Sequence, residues 1–288
     1  MIKIITDCAA DLTSEEIESL GITVAPLFIQ FPEGEINSSD LGPDEFYDRL
    51  QAMDPEIPST AQPSPGIFAK LYQTLANAEE EILSIHVSSG LSGTIQAARM
   101  GAEQVSEAVV TAIDSMTLSG GQRFQVLAAA LAAKAGWAKE AILERIDHIR
   151  EHTEVIYTLD TLKYLAKGGR IGRVQALAGQ LLNIKPIIRV DREDGKYSTV
   201  GKARTLRKTL TMMADHLAEM YQDDSPLWVS VMHGQLADKA EAFAEMLNER
   251  LDIAHLETLR ISPVLGVHTG PGIVGATVVP MRLMEEFA

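Results

Sequence analysis

Short apolar, β-branched runs alternate with amphipathic stretches through the first half of the chain. Ile2 to Thr6, Ile22 to Phe31, Glu81 to Val87 and Val109 to Ile113 read as strands. Pro43 to Met53, Ile67 to Ala78 and the stretch from Thr94 to about Val105 carry the 3.6-residue spacing of helices. Thr13 with Glu16 three residues on makes a capping box for a further helix, which Gly21 closes. Two Ala-rich stretches, Leu118 to Ala135 and Ala138 to Glu151, complete this half. Strands separated by helices predict a parallel sheet in an α/β/α layering.

The second half has another texture. Glu154 to Leu159, Leu227 to Met232, Leu256 to Ile261 and Ile273 to Val279 read as strands, and Leu206 to Met220 and Ala237 to Leu251 as helices. Thr161 to Ala166 reads as a helical turn ending at Gly168-Gly169, and Gln175 to Leu182 as a short helix. Asp194-Gly195, between Lys185–Val190 and Lys196–Val200, is the strongest hairpin signal in the chain. The pattern predicts a mixed or antiparallel α/β layer. The fold expected is therefore two α/β domains, residues 1–152 and 153–288.

Composition narrows the function. The 288 residues are 46% hydrophobic, ample for two packed cores, and 25 Lys+Arg against 40 Asp+Glu give a net charge of −15. Such a mean field disfavours nucleic acid and an anionic membrane surface as partners. No apolar run approaches the roughly 18 to 20 residues needed to span a bilayer. A single Cys8 allows no internal disulfide, and the opening MIKIITD lacks the features of a signal peptide, so a cytoplasmic protein is expected.

Candidate chemistry sits in loops of small polar residues. Ser88-Ser-Gly-Leu-Ser-Gly-Thr94 joins a strand to a helix start, where ligands of open α/β sheets bind and where unpaired N–H groups favour an anion. A structural reading, with Ser92 only capping the helix, has similar weight. His268 lies beside Gly270-Pro271-Gly272, a turn expected to put the imidazole at a loop surface. Thr60, in the Pro-rich loop Ile57 to Gly66, is weaker alone, because such threonines usually serve turns. Ser92, Asp160 and His268 occur in the chain order of a hydrolase triad, so a Ser92-dependent hydrolase or acyltransferase is the alternative. Against it, Gly90-Leu-Ser92-Gly-Thr94 has Thr where the nucleophile elbow needs its second Gly. His148 and His152 lack the Glu of a zinc motif, and no phosphate-loop or dinucleotide motif occurs, so neither metal nor cofactor is expected.

The charge is unevenly distributed. Residues 163–208 hold 12 basic and 3 acidic residues, a local +9, which leaves −24 on the rest. Ordinary solvated lysines and arginines are the usual cause of such a run. Its density here suggests a docking surface for an acidic partner or support for an anion site.

Seven motifs in order, Thr6-Asp-Cys-Ala-Ala-Asp-Leu12, Ser59-Thr-Ala-Gln-Pro-Ser-Pro-Gly66, Ser88 to Thr94, Asp160-Thr-Leu-Lys-Tyr-Leu165, Gly168-Gly-Arg-Ile171, Lys185-Pro186 and His268-Thr-Gly-Pro-Gly272, resemble the DegV family of bacterial fatty-acid-binding proteins. Several members of that family are the binding subunits of fatty acid kinase. The resemblance covers essentially the whole chain. It implies a long-chain fatty acid such as palmitate, stearate or oleate buried near the domain junction. Its carboxylate would be held by Thr60, Ser92 and the network of His268, with the Gly93 N–H as a further donor. It also implies a non-catalytic protein that presents the acid to a partner kinase, with Arg170 and its basic neighbours Arg173 and Arg204 facing that partner. Cys8 stands where the family usually has Ser, which favours a small buried apolar group there.

Overall fold

The computed structural model describes residues 2–76, 81–178, 184–224 and 226–285. Its strands are β1 (Ile2–Asp7), β2 (Thr23–Ala25), β3 (Phe28–Phe31), β4 (Gly34–Asn37), β5 (Ser59–Ala61), β6 (Glu81–His86), β7 (Val109–Asp114), β8 (Glu154–Leu159), β9 (Lys185–Val190), β10 (Tyr197–Ala203), β11 (Leu227–His233), β12 (Ile253–Arg260) and β13 (Ile273–Pro280).

Four of them form the parallel N-terminal sheet in the order β2-β1-β6-β7. Helices Pro65–Leu75 and Thr94–Ala102 cover one face, packing Phe68, Tyr72 and Ala98 on Ile5 and Ile82. Helices Ser119–Lys134 and Lys139–His152 cover the other, with Val126, Ile142 and Ile146 on Ile4 and Leu83. The capping box forms: the Thr13 hydroxyl accepts the Glu16 N–H at 3.2 Å, and the Glu16 carboxylate accepts the Thr13 N–H at 2.8 Å. Gly21 ends that helix at φ +63°, a conformation glycine adopts without strain.

The expected strand Ile22 to Phe31 is two strands. Pro26 has no N–H to give a ladder, and the chain leaves the parallel sheet at Ala25 to enter a small antiparallel one, β4-β3-β5. Thr60 consequently lies on a strand, opposite Ile29, and not in an irregular loop. The helix after it starts two residues earlier than expected, at Pro65 with the Ser64 hydroxyl as cap. Its expected end at Ala78 lies outside the described residues, as does most of the end of the helix expected over Gln175 to Leu182, described as Gln175–Ala178.

The C-terminal sheet is six-stranded and mixed, in the order β10-β9-β8-β13-β11-β12, with β11 and β12 parallel and the remaining pairs antiparallel. Helices Leu206–Met220 and Ala237–Asn248 cover its outer face through Met213, Leu217, Phe243 and Leu247. Its inner face packs on the N-terminal half through a core that includes Leu27, Val87, Leu118, Tyr157 and Leu265. Gly120 permits this approach, since a Cβ there would lie 2.4 Å from the Thr277 hydroxyl.

Two polar clamps hold the halves in register. Buried Arg123 pairs with Glu16 of the first helix and Glu257 of β12. Glu257 also accepts from Trp228 and Ser230 at 2.7 and 2.6 Å. On the opposite side the β9–β10 turn closes on the Ser88 loop, where the Ser88 hydroxyl donates to the Gly195 carbonyl at 2.9 Å. Gly195, at φ +65°, leaves no room for a side chain there. No helix among the described residues is long and apolar enough to cross a membrane.

Candidate functional site

Three of the predicted residues converge on one cleft. Thr60 reaches it from β5, Ser92 from the loop after β6, and His268 from helix Pro263–Thr269. Arg170, Gln62, Tyr197 and Leu118 are among the walls of the cleft. The expectation of a surface loop for His268 is corrected: it is buried, only 9% exposed, on a seven-residue helix whose Gly266 packs against Phe46 and Tyr47.

His268 Nε2 lies 2.9 Å from the Thr60 hydroxyl. Its Nδ1 is buried without a partner and faces Gly168, where a Cβ would come within 2.3 Å. An orphaned N–H costs more than an orphaned acceptor, so the proton sits on Nε2 and is donated to Thr60. The Thr60 O–H is then left to donate to a ligand. Burial, with the Arg170 charge second, pulls the imidazole down to about 4. At neutral pH the histidine therefore orients Thr60 without adding charge.

The positive charge of the cleft comes from Arg170. Its Nη1 donates to the Gly168 carbonyl at 2.8 Å and its Nε to the Leu91 carbonyl at 3.3 Å, which ties the guanidinium to both halves of the wall. Arg170 is half-buried beside the cleft, whereas Arg173 and Arg204 are exposed outside it. Arg173 is engaged with Asp191 and Asp194.

Gly93 is the N-cap of helix Thr94–Ala102 and supplies no side chain. The Ser92 hydroxyl shares a 2.8 Å hydrogen bond with the Thr94 hydroxyl and accepts the Thr94 N–H at 3.3 Å. Gln62 packs over Gly93, where any Cβ would fall 2.6 Å from its amide oxygen. With the Thr94 N–H held by Ser92, the rest of the helix start presents a small donor surface of the sort that suits a carboxylate.

The hydrolase triad is not assembled. His268 bonds Thr60, Ser92 bonds Thr94, and Asp160 pairs with Lys185 at 2.8 Å. Cys8 is partly buried against the inner core, and its thiol is pushed up to about 12, chiefly by burial and then by Asp7. It stands as a neutral, small apolar side chain.

Sequence reasoning missed what lies behind the polar cleft. A second, apolar cavity adjoins it, sharing Leu118, Tyr197 and Leu265 as common walls. Val155, Met232, Ile261 and Ile273 make the new cavity apolar. Alternation along β8 and β13 could show that these positions face inward, but not that space remains between them. A larger recess lies beside Cys8, yet Asp7, Asp11 and Asp40 line it against Arg260, which is already paired with Asp44. That balance disfavours an anion.

A polar cleft with donors and one guanidinium, abutting an apolar cavity, has the chemistry of a site for an elongated amphiphile with an anionic end. The family model described as "Uncharacterised protein, DegV family" matches residues 1–281. A DegV domain-containing protein of Clostridium perfringens is 35% identical over 279 residues, 96% of this chain and 98% of that one. This chain belongs to the DegV family. Among solved structures, a fatty-acid-binding DegV family protein from Thermus thermophilus superposes with a TM-score of 0.89 at 28% identity, covering 97% of this chain and 99% of that one. A stearic-acid-binding protein from Eubacterium ventriosum gives a TM-score of 0.88 at 25% identity, covering 99% of this chain and 100% of that one.

Proposed function

We propose that this protein binds one long-chain fatty acid such as palmitate, stearate or oleate at the junction of two domains, residues 1–152 and 153–288. The carboxylate accepts from the Thr60 and Ser92 hydroxyls and the Gly93 N–H, with Arg170 supplying charge and His268 orienting Thr60. The acyl chain fills the apolar cavity behind them. Each buried CH₂ contributes about 0.8 kcal/mol, so the tail dominates affinity and cavity shape selects among chains. The donors offset the desolvation of the carboxylate. One observation carries the reading: the polar cleft and the apolar cavity share a wall at Leu118, Tyr197 and Leu265. Native mass spectrometry of protein purified from a bacterial host, without delipidation, will detect a bound C14 to C18 acid. Protein that carries none, and takes up neither palmitate nor oleate, overturns the reading.

The protein acts by presentation and not by catalysis. A partner kinase brings the bound carboxylate to the γ-phosphate of ATP; the carboxylate oxygen forms the new P–O bond, ADP leaves, and acyl phosphate results. The exposed basic residues Arg173 and Arg204 belong to the surface that meets this partner. Adding the loaded protein to an ATP-binding kinase subunit yields acyl phosphate, and its absence with an active kinase rejects this role.

A further inference from the structure

The wall of the apolar cavity holds one group that an ordinary acyl chain does not satisfy. Tyr157, on β8, is 4% exposed and lines that cavity. Its hydroxyl is buried and has no hydrogen-bond partner. Opposite it on β13 stands Gly275, where a Cβ would lie 2.5 Å from the Tyr157 Cβ, so the strand pair is built to accommodate this residue. The Tyr197 ring meets the Tyr157 ring edge-on, with centroids 5.7 Å apart. Burial, with the neighbouring Tyr197 second, raises the Tyr157 phenol well above its ordinary range, and its hydroxyl makes no hydrogen bond of ordinary length. Two neighbouring phenols therefore stand where the polar cleft meets the apolar cavity, Tyr197 in the wall the two share and Tyr157 in the cavity itself.

A buried hydroxyl without a partner is costly and rare. Phenylalanine would fill the same volume without that cost, so the hydroxyl points to a ligand atom that completes it. We propose that the preferred ligand is a long-chain fatty acid bearing a hydroxyl on its acyl chain, whose oxygen accepts from Tyr157 and whose proton goes to Tyr197. This rests on the fatty-acid reading above. The substituent lies along the chain and not at the head, because Tyr157 lines the apolar cavity, while Thr60, Ser92 and His268 line the cleft. A cis double bond offers only a weak O–H···π contact, and a ketone accepts from one phenol without donating to the other.

The test displaces a fluorescent fatty acid with stearate, oleate and monohydroxystearates carrying the hydroxyl at successive carbons, with ketostearates as controls. One hydroxy isomer is expected to bind about tenfold more tightly than stearate, the worth of one buried hydrogen bond. Tyr157→Phe should abolish that preference, bringing the favoured hydroxy isomer level with stearate, and should unfold at the same temperature as wild type or higher. Tyr197→Phe is the second variant and should also lose the preference. The proposal is overturned if no hydroxy isomer exceeds stearate, if both Phe variants keep the preference, or if oleate or a ketostearate shows the larger Tyr157-dependent gain. Wild-type protein that binds stearate but shows no hydroxy preference refutes this inference alone. Failure to bind any of the acids refutes the fatty-acid reading with it.

Discussion

Two buried histidines divide the polar chemistry of this molecule. Around His86 the network is closed: Nδ1 meets Asp7 at 2.9 Å, Nε2 meets Ser84 at 2.7 Å, and Ser84 meets Tyr72 at 2.9 Å. Asp7 also receives the Val87 and Ala9 N–H groups at 3.0 and 3.1 Å. These four side chains are fully buried, so an Asp-His-Ser array with the connectivity of a catalytic triad has no route to a substrate. Around His268 the network is open, with one nitrogen on Thr60, the other bare, and Ser92 and Arg170 bordering a cleft. Side-chain identity does not separate a structural network from a binding site here. What separates them is whether donors remain free beside empty space.

The largest effect should come from the closed network. His86→Ala leaves Asp7 and Ser84 short of partners in the core and is expected to cost about 3–5 kcal/mol. Urea unfolding measures this; a loss below about 1 kcal/mol would show that the network does not hold the sheet.

Next is the pH dependence of the two sides. Asp11, beside the closed network, accepts from Ser119 at 2.6 Å and from the Ser262 N–H at 2.9 Å, but burial raises its carboxyl to about 6. Its contribution is fully present at low pH and is lost as pH rises through about 6. His268, lowered to about 4, contributes above its ordinary value of 6.5 and loses that contribution as pH falls toward 4. Each swing is worth about 3 kcal/mol, with opposite sign. Relative to wild type, delipidated Asp11→Asn should therefore gain stability as pH rises from 4 to 6.5, and His268→Gln should lose it. Parallel slopes in the two variants would refute the contrast.

Much of the scaffold behind this contrast was legible from pattern, and the reasons for the failures are physical. The capping box at Thr13 and the long strands β6, β8 and β13 carried local signals strong enough to stand alone. The three-stranded sheet did not, because strands of three or four residues hold no measurable period. Helix Pro263–Thr269 was invisible for the opposite reason. Its Val264, Gly266, Val267 and Thr269 are poor helix formers, and packing of Gly266 on Phe46 and Tyr47 overrides that preference. Thr60, Ser92 and His268 stood out in loops of small polar residues and took their roles from family motifs, whereas Tyr157 and Tyr197, 40 positions apart, meet only through the pairing of β8 with β9 and β10.

A smaller effect distinguishes the two serines. Ser84→Ala removes a member of the closed network and should cost about 1–3 kcal/mol of stability. Ser92→Ala leaves only Thr94 without its partner. It should lower fatty-acid affinity about tenfold while shifting stability by less than about 1 kcal/mol. Calorimetry and ligand displacement on both variants read the split, and equal affinity losses would erase the distinction.

The smallest stability effect belongs to the exposed basic surface, where its sign is informative. Among the twelve basic residues of 163–208, Lys163, Arg173, Lys185, Arg189 and Arg192 are engaged with carboxylates, and Lys167 and Arg170 with backbone carbonyls. Lys196, Arg204, Arg207 and Lys208 are exposed and hold no ion pair among the described residues. Arg207 and Lys208 also stand in the first turn of helix Leu206–Met220, the end at which the helix dipole disfavours positive charge. A surface shaped for stability alone would carry acids there. Arg207→Glu should accordingly raise stability by about 0.5 kcal/mol and leave fatty-acid affinity unchanged. With a partner kinase present, the same variant should slow acyl phosphate formation, and raising the salt should shrink its deficit relative to wild type. A variant that is stabilised yet couples to the kinase as well as wild type would remove this patch from the docking surface.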